Sequence, residues 1–146
     1  MIDKSEADEL VHSGQFRVWA AFEILASNEQ VSKKALEAHI DKIENDARLK
    51  MYKKQFSDIK RVEKPLKNLE VGFSYICEIE FVAKNLENIV GAVIHYGPSS
   101  IEILEPTETK TTVTEIQNIM NMISSMMHKY AASGLGGIVI AGQTGK

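Results

Sequence analysis

Apolar and polar positions alternate along this chain in two rhythms, and the rhythm changes near residue 65. Before that point the spacing is helical. Leu10, Val11, Val18, Ala21, Phe22 and Leu25 form a wide apolar stripe with Trp19 beside it, which predicts a helix over residues 5–27. Ser5 suits its N-cap, and Glu6, Asp8 and Glu9 complement the dipole of its first turn. Gly14 weakens the middle and allows two helices instead of one. Ser32 then caps a second helix, in which Leu36, Ile40, Ile43 and Ala47 recur at a 4-3-4 spacing. The phase shifts at Asn45-Asp46. Leu49, Tyr52, Phe56 and Ile59 continue at 3-4-3, either as another helix or as one long helix facing two neighbours in turn. The helix ends by Lys64, because the residue before Pro65 avoids the right-handed helical region.

After a boundary expected at residues 65–70, the period becomes two. Phe73, Tyr75, Cys77, Ile79 and Phe81 alternate with Ser74, Glu78 and Glu80, the pattern of a strand with one buried face. Asn85 caps a short helix, Leu86 to Tyr96, closed by Gly97. The rival reading is a hairpin strand, favoured by the β-branched Ile89, Val90, Val93 and Ile94. Ile101 to Leu104 forms a strand stopped at Pro106, and Lys110 to Val113 is placed to pair back briefly. Thr112-x-x-Glu115 is a capping box. It opens a helix with Ile116, Ile119, Met120, Ile123, Met126, Met127 and Tyr130 on one face, ended by Ser133-Gly134. Ile138-Val139-Ile140 reads as a last strand. The expected fold class is α+β: a helical N-terminal region, residues 1–66, followed by a ferredoxin-like β-α-β-β-α-β domain with an antiparallel sheet, residues 67–146.

Composition adds bounds. The 146 residues are 44% apolar and 25% charged, as in globular proteins, with no apolar run long enough to span a bilayer. The polar, acidic start is not that of a signal peptide. The single Cys77 excludes an internal disulfide and suits a reducing compartment, so a cytoplasmic protein is expected. The net charge of −3 conceals an asymmetry: residues 48–67 carry eight basic side chains against two acidic ones. Such a local segment points to a partner surface.

The run from Asn85 to Tyr130 carries a resemblance. An apolar lead-in reaches Tyr96-Gly97-Pro98, the strand Ile101-Glu102-Ile103-Leu104-Glu105-Pro106 follows, and a helix runs to Tyr130. This order resembles the C-terminal extension (WCX) segment of WYL-domain transcription regulators, over about a third of the chain. The resemblance implies a small ferredoxin-like accessory module in a family tied to ligand sensing and regulation.

Few residues suggest chemistry. Glu80, Glu102 and His95 form a candidate acidic cluster if the two strands are neighbours, since paired carboxylates bind Mg²⁺ or act as acid and base. The competing reading is a solvated outer sheet face. His12, His39, His95 and His128 lack zinc spacing, so no metal is expected. Cys77, on an apolar strand face, reads as a small hydrophobe. Gly134-Leu135-Gly136-Gly137 follows a helix where a phosphate loop would precede one. Arg48, Lys50, Lys53, Lys54, Lys60 and Arg61, interleaved with Tyr52 and Phe56, are the candidate nucleic-acid contacts. Met120, Met122, Met126 and Met127 suit an adaptable surface, and Met122 falls off the main stripe.

The expectation is a non-enzymatic binding or assembly module, a cytoplasmic homodimer that needs no cofactor and no membrane. The alternatives are a nucleic-acid-binding regulator acting through residues 48–67, and a small enzyme built on the acidic cluster.

Overall fold

Strand β1, Phe16–Ala26, lies between two partners and organises the sheet. The computed structural model describes residues 1–134. They divide into two units, residues 1–109 and the residues from Lys110 onward.

In the first unit a short helix α1, Lys4–His12, is capped by the Asp3 side chain, which accepts from the backbone N–H of Glu6. Gly14, at φ 102°, turns the chain into β1. Helix α2, Glu29–Glu44, follows and is capped by Asn28. Strands β2, Leu49–Phe56, and β3, Lys60–Leu66, run in succession along one edge of the long strand β4, Leu69–Ala83. Helix α3, Leu86–Tyr96, leads to β5, Ser100–Glu105. The order across the sheet is β2-β4-β1-β5, with β3 also on β4, and every pairing is antiparallel. The class is therefore α+β with a five-stranded antiparallel sheet.

One face of the sheet holds the core. Val18, Ala20 and Phe22 stand directly opposite Phe81, Ile79 and Cys77, so all six point the same way. Leu36, Ile40 and Ile43 of α2 and Ile89 and Ala92 of α3 are buried with them, and Leu49 and Met51 of β2 complete the cluster. Each fully buried Leu, Ile or Phe contributes about 1.5–3 kcal/mol. On the other face Val82 and Ala7 are fully buried where α1 meets β2 and β4.

Several expectations are corrected. Residues 16–26 are strand, although their apolar positions also fit a helical stripe. A strand paired on both sides carries apolar groups on both faces, and Trp19 and Ala21 alternate with Val18 and Ala20. Residues 49–56 are strand as well. A register shift between Met51 and Lys53 interrupts the alternation and leaves a false helical spacing of Leu49, Tyr52 and Phe56. Residues 1–66 thus contain three strands, and the boundary expected at residues 65–70 is the turn of the β3–β4 hairpin. By contrast, α3 has the expected bounds, with the Asn85 side chain at its start and Gly97 in the left-handed region at its end. Ser32 does not cap α2; its buried hydroxyl donates to the Phe73 carbonyl at 2.7 Å.

In the second unit, helix α4, Val113–Ala132, starts at Thr112, whose hydroxyl accepts from the Glu115 N–H at 3.1 Å. The brief strand expected over Lys110 to Val113 does not form. The expected strand at Ile138-Val139-Ile140 and the glycines after Gly134 lie outside the described residues.

Gly72 is where the first unit has least room. A Cβ there would stand 2.7 Å from Pro65 Cγ and 2.8 Å from Leu25 Cδ1. Leu25 can swing aside, but the Pro65 ring cannot. Gly72→Ala is expected to destabilise the unit by about 1–3 kcal/mol, read from the urea midpoint. An unchanged midpoint would show that the hairpin shifts freely.

Candidate functional site

The sheet face opposite the core carries a cluster of polar side chains. Its centre is Trp19, because the registers place Glu80 of β4 and Glu102 of β5 directly opposite it on either side. The two glutamates are therefore two strands apart, about 10 Å between backbones, with the indole between them. Trp19 Nε1 donates to Glu78 Oε2 at 3.3 Å. Lys53 Nζ donates to Glu80 at 2.6 Å, and the Tyr52 hydroxyl donates to the other oxygen of the same carboxylate. Burial alone would raise Glu80, but these two donors hold it below the usual carboxylate range.

Arg17 ties this network to two other elements. Its guanidinium donates to Asp8 of α1 at 2.6 Å and to Glu105 at the end of β5, and lies 5.3 Å from the Tyr52 ring centre. Hydrogen bonding to Tyr52, with the two carboxylates adding to it, pushes the Arg17 pKa further up against the effect of burial. Burial, reinforced by the bond to Glu80, pushes Tyr52 up to about 12. Arg17, Trp19 and Tyr52 carry no motif in the sequence. Arg17 and Tyr52 meet only because β4 lies between β1 and β2, which no local spacing reveals.

His95 belongs elsewhere. It sits on α3, which packs against the core face, and its Nδ1 is 2.8 Å from the Gly91 carbonyl of its own helix. Glu80, Glu102 and His95 do not converge. His39 is better placed than His95: its Nε2 is 2.8 Å from the Tyr96 carbonyl, and its ring meets Phe22 and Tyr96 edge-on. The Tyr96 hydroxyl donates to Asp46, whose carboxylate Arg48 holds well below its usual range. This chain of contacts ties α2 and α3 to the start of β2. Cys77 is buried, and burial pushes its thiol up to about 11, which removes thiolate at neutral pH.

The basic segment lies along an edge of the sheet and not on a helix. Alternation sends its side chains to different faces, and four of the six candidate cations have carboxylate partners: Arg48 with Asp46, Lys53 with Glu80, Lys54 with Glu44, and Arg61 with Glu63. Lys50 and Lys60 have no ion-pair partner among the described residues. No group of three acidic, His or Cys side chains among the described residues is arranged to hold a metal, and no helix among them is long and apolar enough to cross a membrane.

The second unit offers a different surface. Helix α4 has 20 residues and none is buried. Val113, Ile116, Met120, Ile123, Met127 and Tyr130 are all exposed, Met120 at 58%. Single exposed apolar residues are ordinary, whereas a continuous line of them marks an interaction surface.

Tyr52→Phe tests the polar network. The variant is expected to lose about 1 kcal/mol at neutral pH. The raised phenol pKa stabilises the fold fully below pH 10, and that contribution is lost as pH climbs through about 12. Wild type should therefore lose stability across this window and Tyr52→Phe should lose less, as measured by chemical denaturation at stepped pH. Parallel curves would show that the Tyr52–Glu80 bond contributes nothing.

The model of the MJ0538 family matches residues 17–142, from β1 through α4 and beyond. No curated protein and no solved structure matches the chain. The match covers both units and most of the 146 residues, and the chain therefore belongs to the MJ0538 family.

Proposed function

We propose that this protein is a non-enzymatic binding and assembly module that associates with copies of itself in the cytoplasm. The observation that carries the reading is α4: a capped helix of 20 residues with an apolar line and no buried residue. An amphipathic helix gains most of its stability by burying its apolar face against a neighbour. A second observation agrees with it. The polar groups of the open sheet face bond to one another, and Cys77 is a buried neutral thiol.

The body that would carry this helix reads as ferredoxin-like. The succession β1-α2-(β2, β3)-β4-α3-β5 supports that plan when β2 and β3 are taken as one interrupted strand, as does the spatial order with β4 and β1 central. The plan then starts at β1, well before residue 67. The likeness of residues 85–130 to the WCX segment fits an accessory role of this kind. The single buried Cys77 fits a reducing compartment.

Light scattering on the full chain at micromolar concentration is expected to give a multiple of the chain mass. A monomer at every concentration would end the reading. Nucleic acid is expected to bind weakly or not at all, since four of the six candidate contacts are already paired. Binding that falls steeply with salt, and that Lys50→Ala and Lys60→Ala weaken, would replace self-assembly with the nucleic-acid alternative.

A further inference from the structure

The six exposed apolar residues of α4 follow one another at steps of 3, 4, 3, 4 and 3: Val113, Ile116, Met120, Ile123, Met127, Tyr130. Their mean spacing is that of a seven-residue repeat, the narrow seam along which helices interlock as knobs into holes. In heptad terms Val113, Met120 and Met127 occupy a, and Ile116, Ile123 and Tyr130 occupy d. We propose that α4 helices from four copies of this chain pack together through this seam as a four-helix assembly. The proposal rests on the self-association reading above and gives it an element and a stoichiometry.

The flanks of the seam identify the occupant. Gln117, Ser124 and Ala131 at e, and Ile119 and Met126 at g, carry no charge. Identical helices meet there without like-charge repulsion, and a partner chosen by charge finds nothing to read. A lipid surface is the poorer fit, because a helix lying at a membrane needs a basic polar face. On α4 the only Lys or Arg is Lys129, next to His128, and Thr114, Asn121 and Ser125 are neutral.

Two features set the number of helices. At the inner positions Met120 and Met127 at a are unbranched at Cβ, while Ile116 and Ile123 at d are β-branched; only Val113 and Tyr130, at the two ends of the seam, depart from this. Leu at a with Ile at d shifts the preference from two strands to three or four, and Met shares with Leu the lack of a Cβ branch, whereas a β-branched a with Leu at d favours two. Ile119 and Met126 also widen the apolar stripe to three positions in seven, the width of a helix with neighbours on both sides in a bundle. The helix spans about 30 Å, nearly three repeats.

The test uses the full chain in size-exclusion chromatography with light scattering and in sedimentation equilibrium, with circular dichroism to confirm that residues 1–109 remain folded. Wild type is expected at four chain masses. Ile123→Glu is expected to give smaller species. A combined swap of Met120→Val, Met127→Val, Ile116→Leu and Ile123→Leu keeps the seam apolar and is expected to halve the assembly to two chains. The swap also serves if Ile123→Glu fails to fold. An assembly that survives Ile123→Glu, or four chains unchanged by the swap, would overturn the seam while leaving self-association to another surface. A wild-type dimer that Ile123→Glu dissolves would overturn the number four. A monomer would remove this inference and the reading beneath it together.

Discussion

The antiparallel pairing of β1 with β4 is the constraint on which the first unit depends. Its register runs without interruption from Phe16 opposite Ala83 to Ala26 opposite Phe73. Side chains alternate strictly along a strand, so this register alone decides which face every residue meets. A slip of one position would carry Trp19, Glu78 and Glu80 into the space of Val18, Ile79 and Phe81, and would present the apolar set to water. The helices depend on the same register. Leu36, Ile40 and Ile43 of α2 and Ile89 of α3 find a continuous apolar floor only because both central strands turn the same side toward them. The polar network on the far face depends on it too, since Trp19 sits between Glu80 and Glu102 only in this pairing.

That far face shows how charged residues are accommodated at the centre of a sheet. Glu80 is matched by Lys53 and Tyr52, and Arg17 by Asp8 and Glu105. These charges have an opposite charge or a donor within hydrogen-bonding distance, whereas Glu102 on the same face has no ion-pair partner among the described residues. The geometry holds together α1, β1, β2, β4 and β5 from outside, much as the apolar cluster does from within. Along α4, by contrast, Val113, Ile116, Met120, Ile123, Met127 and Tyr130 are exposed.

How far the sequence could be read depended on whether each element buries one face or two. The strand β4 shows a clean alternation from Phe73 to Phe81. Helices α2, α3 and α4 show clean helical periods with capping side chains at Asn28, Asn85 and Thr112. Those elements were legible, apart from a few residues at the start of α2. Strand β1 was not, because Trp19 and Ala21 on its second face complete a helical spacing with Val18, Phe22 and Leu25. Strand β2 was not, because the extra residue near Tyr52 breaks the alternation. The site suffered from the same ambiguity. Glu80 and Glu102 do share a face, as strand parity required, but β1 stands between their strands. His95 lies on the helical layer, and only the packing of α3 assigns it there. The basic segment was visible as composition, yet its carboxylate partners, such as Glu44 and Glu80, lie far away in sequence.

An interrupted, lysine-rich strand at the border of a sheet has a meaning apart from ligands. The row of backbone groups that a border strand leaves open is a template onto which a stray extended chain can add, and such addition is a route to aggregation. Along β2 and β3 that row is broken by the register shift after Met51, by the gap at Ser57-Asp58-Ile59, and by Pro65, which has no N–H to offer. Lys50, Lys53, Lys54, Lys60 and Arg61 surround it with charge. The feature that most looked like a grip on nucleic acid thus reads, on this edge, as insulation: it keeps the sheet finite.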